Sequence, residues 1–260
     1  MDVLAADSHV PGKEPIVRAE GVTKRYGAVV ALFDVNLSLY PGEVLAVVGD
    51  NGAGKSTFVH ILSGVERPDE GALFIDGKHV VLQGPAKAHH YGLVTVFQDL
   101  ALVNERDVAA NIFLGREQTR FGVIVRRREM LSESRALIER LQVGLPDVRT
   151  LVKSLSGGQR QAVAVARAII RGEARVVIMD EPTAALGVRE AGKVSDLIRA
   201  LRAEGRSVLL ISYNIENVFN LADRIAVFRL GRCIAITRTE HTTYAEIVGL
   251  IVRGMEVGIP

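Results

Sequence analysis

VLAVVGDNGAGKST, residues 44–57, joins a run of apolar, strand-forming residues to a glycine-rich loop that precedes a helical segment. Glycines in such a loop let backbone N–H groups converge on phosphate oxygens, while Lys55 can reach the terminal phosphates and Ser56 can ligate Mg²⁺. A strand before the loop and a helix after it favour a phosphate-binding loop over a glycine-rich turn. The predicted nucleotide-binding residues of this loop are Gly49, Asn51, Gly52, Gly54, Lys55, Ser56 and Thr57.

Apolar runs of strand length recur beyond this loop and alternate with helical segments. The runs are Val94 to Phe97, Val176 to Met179 and Val208 to Ile211. Continuous apolar strands are typical of a mainly parallel sheet that is covered on both faces. Residues 16–39 differ, because VNLSLY alternates with period two and turn signals stand at Gly27 and just beyond Tyr40. These residues predict an antiparallel β portion at the front of the chain.

The remaining segments indicate a helical insertion and a β-hairpin near the end. No strong strand run occurs between about Leu100 and Ser154, whereas EMLSESRALIERLQ carries apolar residues at helical spacing. RIAVFRL and CIAITR predict a hairpin that turns near Gly231. Thr243 and Glu246 form a capping-box pattern before a short terminal helix that should end at the next glycine.

The predicted fold class is α/β, with a phosphate-loop nucleoside triphosphatase (P-loop NTPase) core, a mainly parallel sheet, an antiparallel β portion and an inserted α-helical lobe. We expect a flexible tail at residues 1–15 and a single domain at residues 16–260. Within that domain the core is expected at residues 16–98 and 160–260, and the helical lobe at about residues 99–159.

A pair of carboxylates, Asp180-Glu181, ends the apolar strand in VVIMDEP. Asp180 should lie at the carboxyl edge of the sheet beside the phosphate loop, where it can hold Mg²⁺ directly or through water. Glu181 would then point at the position of an attacking water, as a general base or an orienting group. Alone, an Asp-Glu pair at a strand end is usually a helix cap, but together with the loop at Lys55 the functional interpretation is favoured.

A second anion site is indicated by SLSGGQRQAVAVARAIIR, residues 154–171. Ser156 is a candidate N-cap, and Gly157 and Gly158 leave the N–H groups of the following helix unobstructed, which favours an anion there. The same features also suit a well-capped helix without a ligand.

LSGGQ, between the phosphate loop and the Asp-Glu pair, resembles the signature of ATP-binding-cassette ATPases, and the resemblance extends from about Ile16 to Met255. In that family the signature contacts the γ-phosphate bound by the other subunit, so two chains sandwich two ATP molecules head to tail. One phosphate loop and one signature in this chain therefore imply a homodimer. The residues implied to make this contact are Ser156, Gly157, Gly158 and Gln159.

The resemblance assigns two further residues. Tyr26 matches the aromatic residue that stacks on adenine, although an ordinary strand tyrosine remains the alternative. Gln98 matches the glutamine that connects the metal site with the helical lobe and, through it, with membrane subunits. The implied metal ligands are Ser56, Gln98 and Asp180, and the implied catalytic residues are Glu181, Gln98 and Tyr213.

Two phrases, VAANIFLGRE and DEPTAALGVRE, are similar to bacterial monosaccharide importers of the fructose or ribose type. Most such sugar ATPases carry two cassettes in one chain, whereas this sequence resembles the shorter single-cassette members. The resemblance implies integral-membrane permease subunits as partners, a periplasmic sugar-binding protein as an indirect partner, and a peripheral location at the cytoplasmic face of the bacterial inner membrane.

Tyr213 departs from the family pattern, because the family has a switch histidine there that contacts the γ-phosphate. A tyrosine, with a pKa near 10, stays neutral at pH 7 and cannot shuttle a proton as imidazole does. An ATP-gated dimerisation subunit with weak hydrolysis is therefore an alternative to an importer ATPase. Gly187 is a second difference, because many family members have an aspartate at this position in the loop after the catalytic glutamate. The sequence AALG recurs in sugar-type ATPases, so this difference alone does not argue against the resemblance.

Composition restricts the remaining possibilities. The net charge of +2 gives no global case for nucleic-acid binding. Cys233 is the only cysteine, which leaves no intrachain disulfide and fits a reducing compartment. The first 15 residues lack a long apolar region, so no secretory signal is expected. A third hypothesis, a soluble cassette protein of DNA repair or translation, is disfavoured because the interval from Lys55 to Ser156 leaves no room for the usual insertions.

Overall fold

The computed structural model describes residues 14–142, 144–170, 174–184 and 186–254. Most of the expected tail, residues 1–13, and the last six residues lie outside these ranges. The strands are β1 (Val17–Tyr26), β2 (Val29–Leu39), β3 (Val44–Gly49), β4 (Glu70–Ile75), β5 (Lys78–Val80), β6 (Leu93–Val96), β7 (Thr119–Arg120), β8 (Ile124–Val125), β9 (Val176–Asp180), β10 (Ser207–Ile211), β11 (Arg224–Arg229) and β12 (Arg232–Arg238). The α-helices are α1 (Lys55–Leu62), α2 (Pro85–His90), α3 (Val108–Ile112), α4 (Arg127–Arg140), α5 (Gly157–Ile169), α6 (Val188–Ala203), α7 (Ile215–Leu221) and α8 (Tyr244–Arg253).

The main sheet has six strands in the order β12-β11-β3-β10-β9-β6 and is parallel except for the β11–β12 pair. This confirms the predicted mainly parallel sheet and the predicted hairpin near Gly231. Strand β6 begins and ends one residue earlier than expected. Phe97 leaves the sheet, and its ring contacts that of His60 edge-on with centroids 6.0 Å apart.

Alternate residues of the parallel strands contribute to two hydrophobic cores, one on each face of the sheet. Along β3, Ala46 and Val48 pack into one core, while Leu45 and Val47 pack into the other. Every residue of β3 is buried, which is why its sequence is continuously apolar. Both faces are therefore covered, and the strand ends are left to carry functional side chains.

A second sheet, with the order β2-β1-β4-β5, is antiparallel throughout and confirms the β portion predicted for the front of the chain. At the other end, α8 begins after the N-cap Thr243, which forms a capping box with Glu246, and its C-cap is Gly254. The terminal helix is therefore bounded as its capping residues predict.

Helices α3 and α4 occupy the segment where a helical lobe is predicted. Val108, Met130 and Leu137 are buried in the same core that contains β9 and α5. The short hairpin β7–β8 was not predicted, because two-residue strands are too short to show a period in the sequence. Within the described ranges, no helix combines the length and apolar character needed to cross a bilayer.

Candidate functional site

The loop between β3 and α1 depends on glycine at both of its ends. Gly49 has φ 152°, and a Cβ there would lie 2.2 Å from the carbonyl oxygen of Phe228. Gly54 is the N-cap of α1 with φ 100°, and its Cβ would lie 2.7 Å from the carbonyl oxygen of Ala31. A side chain at either position would displace backbone, so the loop closes tightly against β2 and β11.

Lys55 is the first residue of α1 and is 4% exposed. Its Nζ donates hydrogen bonds to the carbonyl oxygens of Gly49 and Asp50, each at 2.9 Å. Burial lowers the pKa of the Lys55 ammonium, while Glu181, Asp180 and Asp50 act in the opposite direction. Lys55 therefore provides a cation held inside the loop, at a helix N-terminus that favours anions.

The predicted carboxylates lie beside this cation. Asp180 is the last residue of β9 and is 7% exposed. Burial raises the pKa of its carboxyl, and the nearby charges of His60 and Lys55 partly offset that increase. Glu181 has φ 50°, and its N–H donates to the carbonyl oxygen of Ile211 at 3.0 Å. A non-glycine residue in this backbone region is uncommon and is often found at functional sites.

The carboxyl of Glu181 retains one free oxygen. Its Oε2 accepts a hydrogen bond from the N–H of Tyr213 at 3.3 Å, whereas Oε1 is buried without a hydrogen-bond partner among the described residues. Burial raises the pKa of Glu181 to about 7, against the opposing effects of the Tyr213 N–H and Lys55. A carboxyl that titrates near neutral pH and has an unused oxygen is suited to accept a proton.

Tyr213 lies two residues beyond the end of β10 and is half exposed. Its hydroxyl donates a hydrogen bond to Oδ1 of Asn51, and its ring lies over the ammonium of Lys55, with Nζ 4.1 Å from the ring centroid. Burial and the charges of Glu181 and Asp180 raise the pKa of the phenol. Tyr213, the residue that differs from the family pattern, therefore contacts the phosphate loop directly.

Tyr26 and Gln98 lie further out. Tyr26 ends β1, is 44% exposed, and has its hydroxyl beside Thr57 and Glu66. Burial, followed by the charge of Glu66, raises the pKa of this phenol. Gln98 is exposed just beyond β6. Gln98 therefore lies at the carboxyl edge of the sheet, but within the described residues it forms no hydrogen bond with Asp180 or with the phosphate loop.

The signature segment is separate from the loop of its own chain. Ser156 is the N-cap of α5, and its N–H donates to Oε1 of Gln159 at 3.0 Å. The Oγ of Ser156 is buried and faces the N–H of Gln159 in a capping box, although no contact within the described part of the chain has the geometry of a hydrogen bond to it. The N–H of Gly157 donates to Glu190 at 3.1 Å, and a Cβ on Gly157 would lie 2.3 Å from Cδ2 of Leu186. The segment is thus held in place by α6 and the turn before it.

Sequence reasoning missed three residues of the site. Asp50 contributes a carbonyl oxygen and a charge to Lys55. The charge of His60, in the last turn of α1, lowers the pKa of Asp180. Glu190 binds the signature N–H. Their roles depend on packing between distant elements, although the position of His60 on the phosphate-loop helix was a usable signal.

The predicted donors are suitable for Mg²⁺. Ser56 is exposed in the first turn of α1, and Asp180 offers a carboxylate at the adjoining sheet edge. Among the described residues no group of three or more His, Cys, Asp or Glu side chains could hold a metal ion. Mg²⁺ usually binds through one or two protein oxygens together with substrate phosphates and water, so a sparse oxygen set fits this ion.

Comparison with known proteins identifies a family and several relatives. A family model described as "ABC transporter" matches residues 32–184. The fructose import ATP-binding protein of Rhizobium meliloti is 43% identical over 251 residues, which cover 94% of this chain and 96% of that protein. The xylose/arabinose import ATP-binding protein of Sulfolobus acidocaldarius is 45% identical and covers 89% of this chain and 92% of its own length. A ribose import ATP-binding protein of Rubrobacter xylanophilus is 45% identical over 94% of this chain, which spans 49% of that relative.

Solved structures share the fold. An ATP-binding cassette of an ABC transporter superposes with a TM-score of 0.79 at 28% identity, covering 92% of this chain and 95% of the solved one. A nucleotide-free cassette gives a TM-score of 0.76 at 28% identity, covering 86% and 92% of the two chains. The predicted α/β cassette fold is therefore confirmed.

Proposed function

Since the chain belongs to the ABC transporter family of ATP-binding proteins, we propose that it hydrolyses ATP to drive import of a monosaccharide through a membrane permease. The relatives with this extent of similarity are import proteins for fructose, xylose or arabinose, and ribose. The observation that carries the chemistry is the position of Glu181, whose free oxygen lies in a site that also contains Lys55 and Tyr213.

In this proposal the phosphate loop binds the nucleotide. Lys55 donates to the terminal phosphates, and the N–H groups at the start of α1 surround the other phosphate oxygens. Tyr26 stacks on the base beside Thr57. The proposed nucleotide-binding residues are Tyr26, Gly49, Asn51, Gly52, Gly54, Lys55, Ser56 and Thr57.

Ser56, Asp180 and Gln98 are the residues that would hold Mg²⁺. When bound, this ion neutralises the charge that develops on the phosphate oxygens. Gln98 reaches the site only if its exposed side chain turns inward, and this movement would transmit the state of the site to the lobe proposed at about residues 99–159.

Glu181 is the proposed general base. Its carboxylate orients a water molecule through Oε1 and accepts a proton from it, while the N–H of Tyr213 holds Oε2 in place. Because the pKa of Glu181 is about 7, the carboxyl is partly ionised at neutral pH and is a competent acceptor. Tyr213 can donate a hydrogen bond toward the γ-phosphate but does not carry the proton away.

A second copy of the chain completes the site. Ser156 is the N-cap of α5, a helix of 13 residues whose dipole favours an anion at this end. The proposed contacts of Ser156, Gly157, Gly158 and Gln159 with ATP are therefore made to the other subunit's nucleotide, in a head-to-tail homodimer. The same proposal gives the chain two further partners, the permease subunits directly and a periplasmic sugar-binding protein indirectly. It also places the chain on the cytoplasmic face of the inner membrane.

The proposal is tested by measuring Mg²⁺-dependent ATP hydrolysis and sugar uptake in vesicles that contain the permease subunits and the purified chain. Uptake and hydrolysis that both require the chain support it, and Glu181→Gln should abolish both while ATP is still bound. Hydrolysis without coupling to any sugar would reject the import function but keep the ATPase assignment.

A further inference from the structure

The hairpin β7–β8 presents an apolar tip to solvent. Its sequence, TRFGVIVRRR, runs from Thr119 to Arg128, between α3 and α4. Phe121 is 82% exposed, Val123 79%, Ile124 61% and Val125 48%. None of these side chains belongs to either hydrophobic core. Isolated apolar residues on a surface need no explanation, but four in five consecutive positions form a patch that does.

The base of this hairpin is fixed while its tip projects. The N–H of Arg126 donates to the carbonyl oxygen of Gln118 at 2.8 Å, and the Gln118 amide donates to both carboxylate oxygens of Glu133 on α4 at 2.8 Å. Strands β7 and β8 pair through Thr119 with Val125 and through Arg120 with Ile124. The exposed side chains are therefore carried on an ordered support.

Positive charge surrounds the apolar tip. From Arg116 to Glu129 there are five arginines and two glutamates, a net charge of +3 compared with +2 for the whole chain. Arg126 pairs with Glu129 and Arg127 pairs with Asp107. Arg120 lies over the ring of Phe121, with the guanidinium carbon 5.1 Å from the centroid. Neither Arg120 nor Arg128 forms an ion pair with any described residue.

We propose that residues 119–128, the hairpin and the arginines that follow it, form an element that binds an anionic lipid surface. An apolar tip with flanking arginines matches the two layers of a membrane interface, because the tip enters the acyl boundary while the guanidinium groups bind headgroup phosphates. Apolar side chains of the turn, Phe121 and Val123, are exposed together with Ile124 and Val125, which point to opposite faces of β8. The tip therefore fits an isotropic medium better than it fits a single pocket. The inference rests on the proposed function only for placing the chain at a membrane.

The first experiment uses the full chain and vesicles of phosphatidylcholine with and without phosphatidylglycerol. The unaltered chain should sediment with the anionic vesicles and not with phosphatidylcholine alone. Arg126→Gln together with Arg128→Gln should lower partitioning onto anionic vesicles by roughly 30-fold, because each arginine near an anionic surface contributes about fivefold. Phe121→Ser with Ile124→Ser should lower it by at least about 10-fold. Val252→Ser, an exposed valine beside Arg253 at the end of α8, is the matched control and should change nothing.

A second measurement reports insertion directly. The chain contains no tryptophan, so Phe121→Trp introduces a single fluorophore at the tip. Its emission should shift to the blue with anionic vesicles and be quenched by brominated lipid, whereas Val252→Trp should show neither effect.

Failure of the unaltered chain to bind anionic vesicles, or equal binding by the hairpin variants, would overturn the proposal. Normal vesicle binding by those variants combined with weaker association with permease vesicles would also overturn it, in favour of a protein contact. ATP hydrolysis by each variant in solution separates these outcomes from misfolding. If the unaltered chain supports no sugar import but still binds anionic vesicles, the proposed function is rejected while the lipid-binding proposal stands.

Discussion

The ring of Tyr213 covers the ammonium of Lys55 at 4.1 Å, while its hydroxyl donates to Asn51 in the same loop. One side chain thus contacts two residues of the phosphate loop from the end of the neighbouring strand. In the proposed nucleotide site a terminal phosphate approaches the Lys55 ammonium, so we expect the ring to move aside when nucleotide binds. We therefore expect the side chain of Tyr213 to compete with nucleotide for the Lys55 ammonium.

Removal of the ring should tighten nucleotide binding. We expect Tyr213→Ala to increase affinity for ATP by about 3-fold to 10-fold, because a partly exposed cation–π contact contributes about 0.5–1 kcal/mol and the lost hydrogen bond adds to it. Tyr213→Phe keeps the ring but loses the hydroxyl, so its affinity for ATP should lie between those of the unaltered chain and of Tyr213→Ala. Equilibrium binding of a fluorescent ATP analogue measures the effect, and weaker binding by the alanine variant would show that Tyr213 supports bound nucleotide.

Replacement by histidine should accelerate hydrolysis. A histidine in contact with the γ-phosphate can take up and carry a proton, which the neutral phenol of Tyr213 cannot do, so Tyr213→His should raise turnover by up to about 10²-fold. Steady-state hydrolysis is measured over a range of protein concentrations, with ATP affinity measured in parallel. Equal turnover for the two chains would indicate that the tyrosine is tolerated in an ordinary importer ATPase.

The rate of hydrolysis should depend on ionisation of Glu181. Its pKa of about 7 in the folded, nucleotide-free chain means that the base form, and with it kcat/KM, increases as pH rises through about 7. Glu181→Gln should bind ATP normally, lose at least about 10²-fold in kcat and show no such pH step. A pH–rate profile of the two chains tests this, and an unchanged profile in the glutamine variant would remove Glu181 from the role of base.

The same carboxyl should make stability depend on pH. Its pKa is raised from 4.5 unfolded to about 7 folded, so the folded chain binds the proton more tightly, and the resulting stabilisation is present below pH 4.5 and lost as pH rises through about 7. Relative to Glu181→Gln, the unaltered chain should lose about 1–2 kcal/mol of unfolding free energy over this window, after allowance for solvent screening. Urea unfolding at about pH 5 and about pH 8 measures the difference. A constant difference between the two chains would contradict the raised pKa.

A buried ion pair between Glu43 and Arg224, at the amino ends of β3 and β11, should contribute to stability and not to catalysis. Arg224 is 2% exposed, and its Nη1 lies 3.1 Å from Oε1 of Glu43 and 3.0 Å from the carbonyl oxygen of Ser38. Glu43→Ala leaves the guanidinium buried beside an empty space and should destabilise the chain by about 3–5 kcal/mol. Glu20→Ala, which breaks the exposed pair with Arg18, is the control and should change stability by less than about 1 kcal/mol. Equal losses in thermal unfolding would contradict this assignment.

Local patterns predicted those features that depend on neighbours in sequence. The apolar run of β3, the loop that ends in Lys55 and the capping box at Thr243 are of this kind, and the structure contains each of them. The contact of Glu190 with Gly157 depends on how α5 packs against α6, which no spacing reveals. The contact between Tyr213 and Asn51 depends on β10 lying next to β3, so the departure at Tyr213 was visible in the sequence but its target was not.

The position of β3 in the sheet has a consequence for biogenesis. Its only strand neighbours in the described sheet, β10 and β11, come from the last quarter of the chain. During synthesis the phosphate loop therefore leaves the ribosome well before β10 and β11, and both sides of its strand stay unpaired until those two strands have also been made. The nascent chain carries apolar, unpaired strand edges over that interval, and we expect nucleotide binding to follow the docking of β10 and β11 against β3.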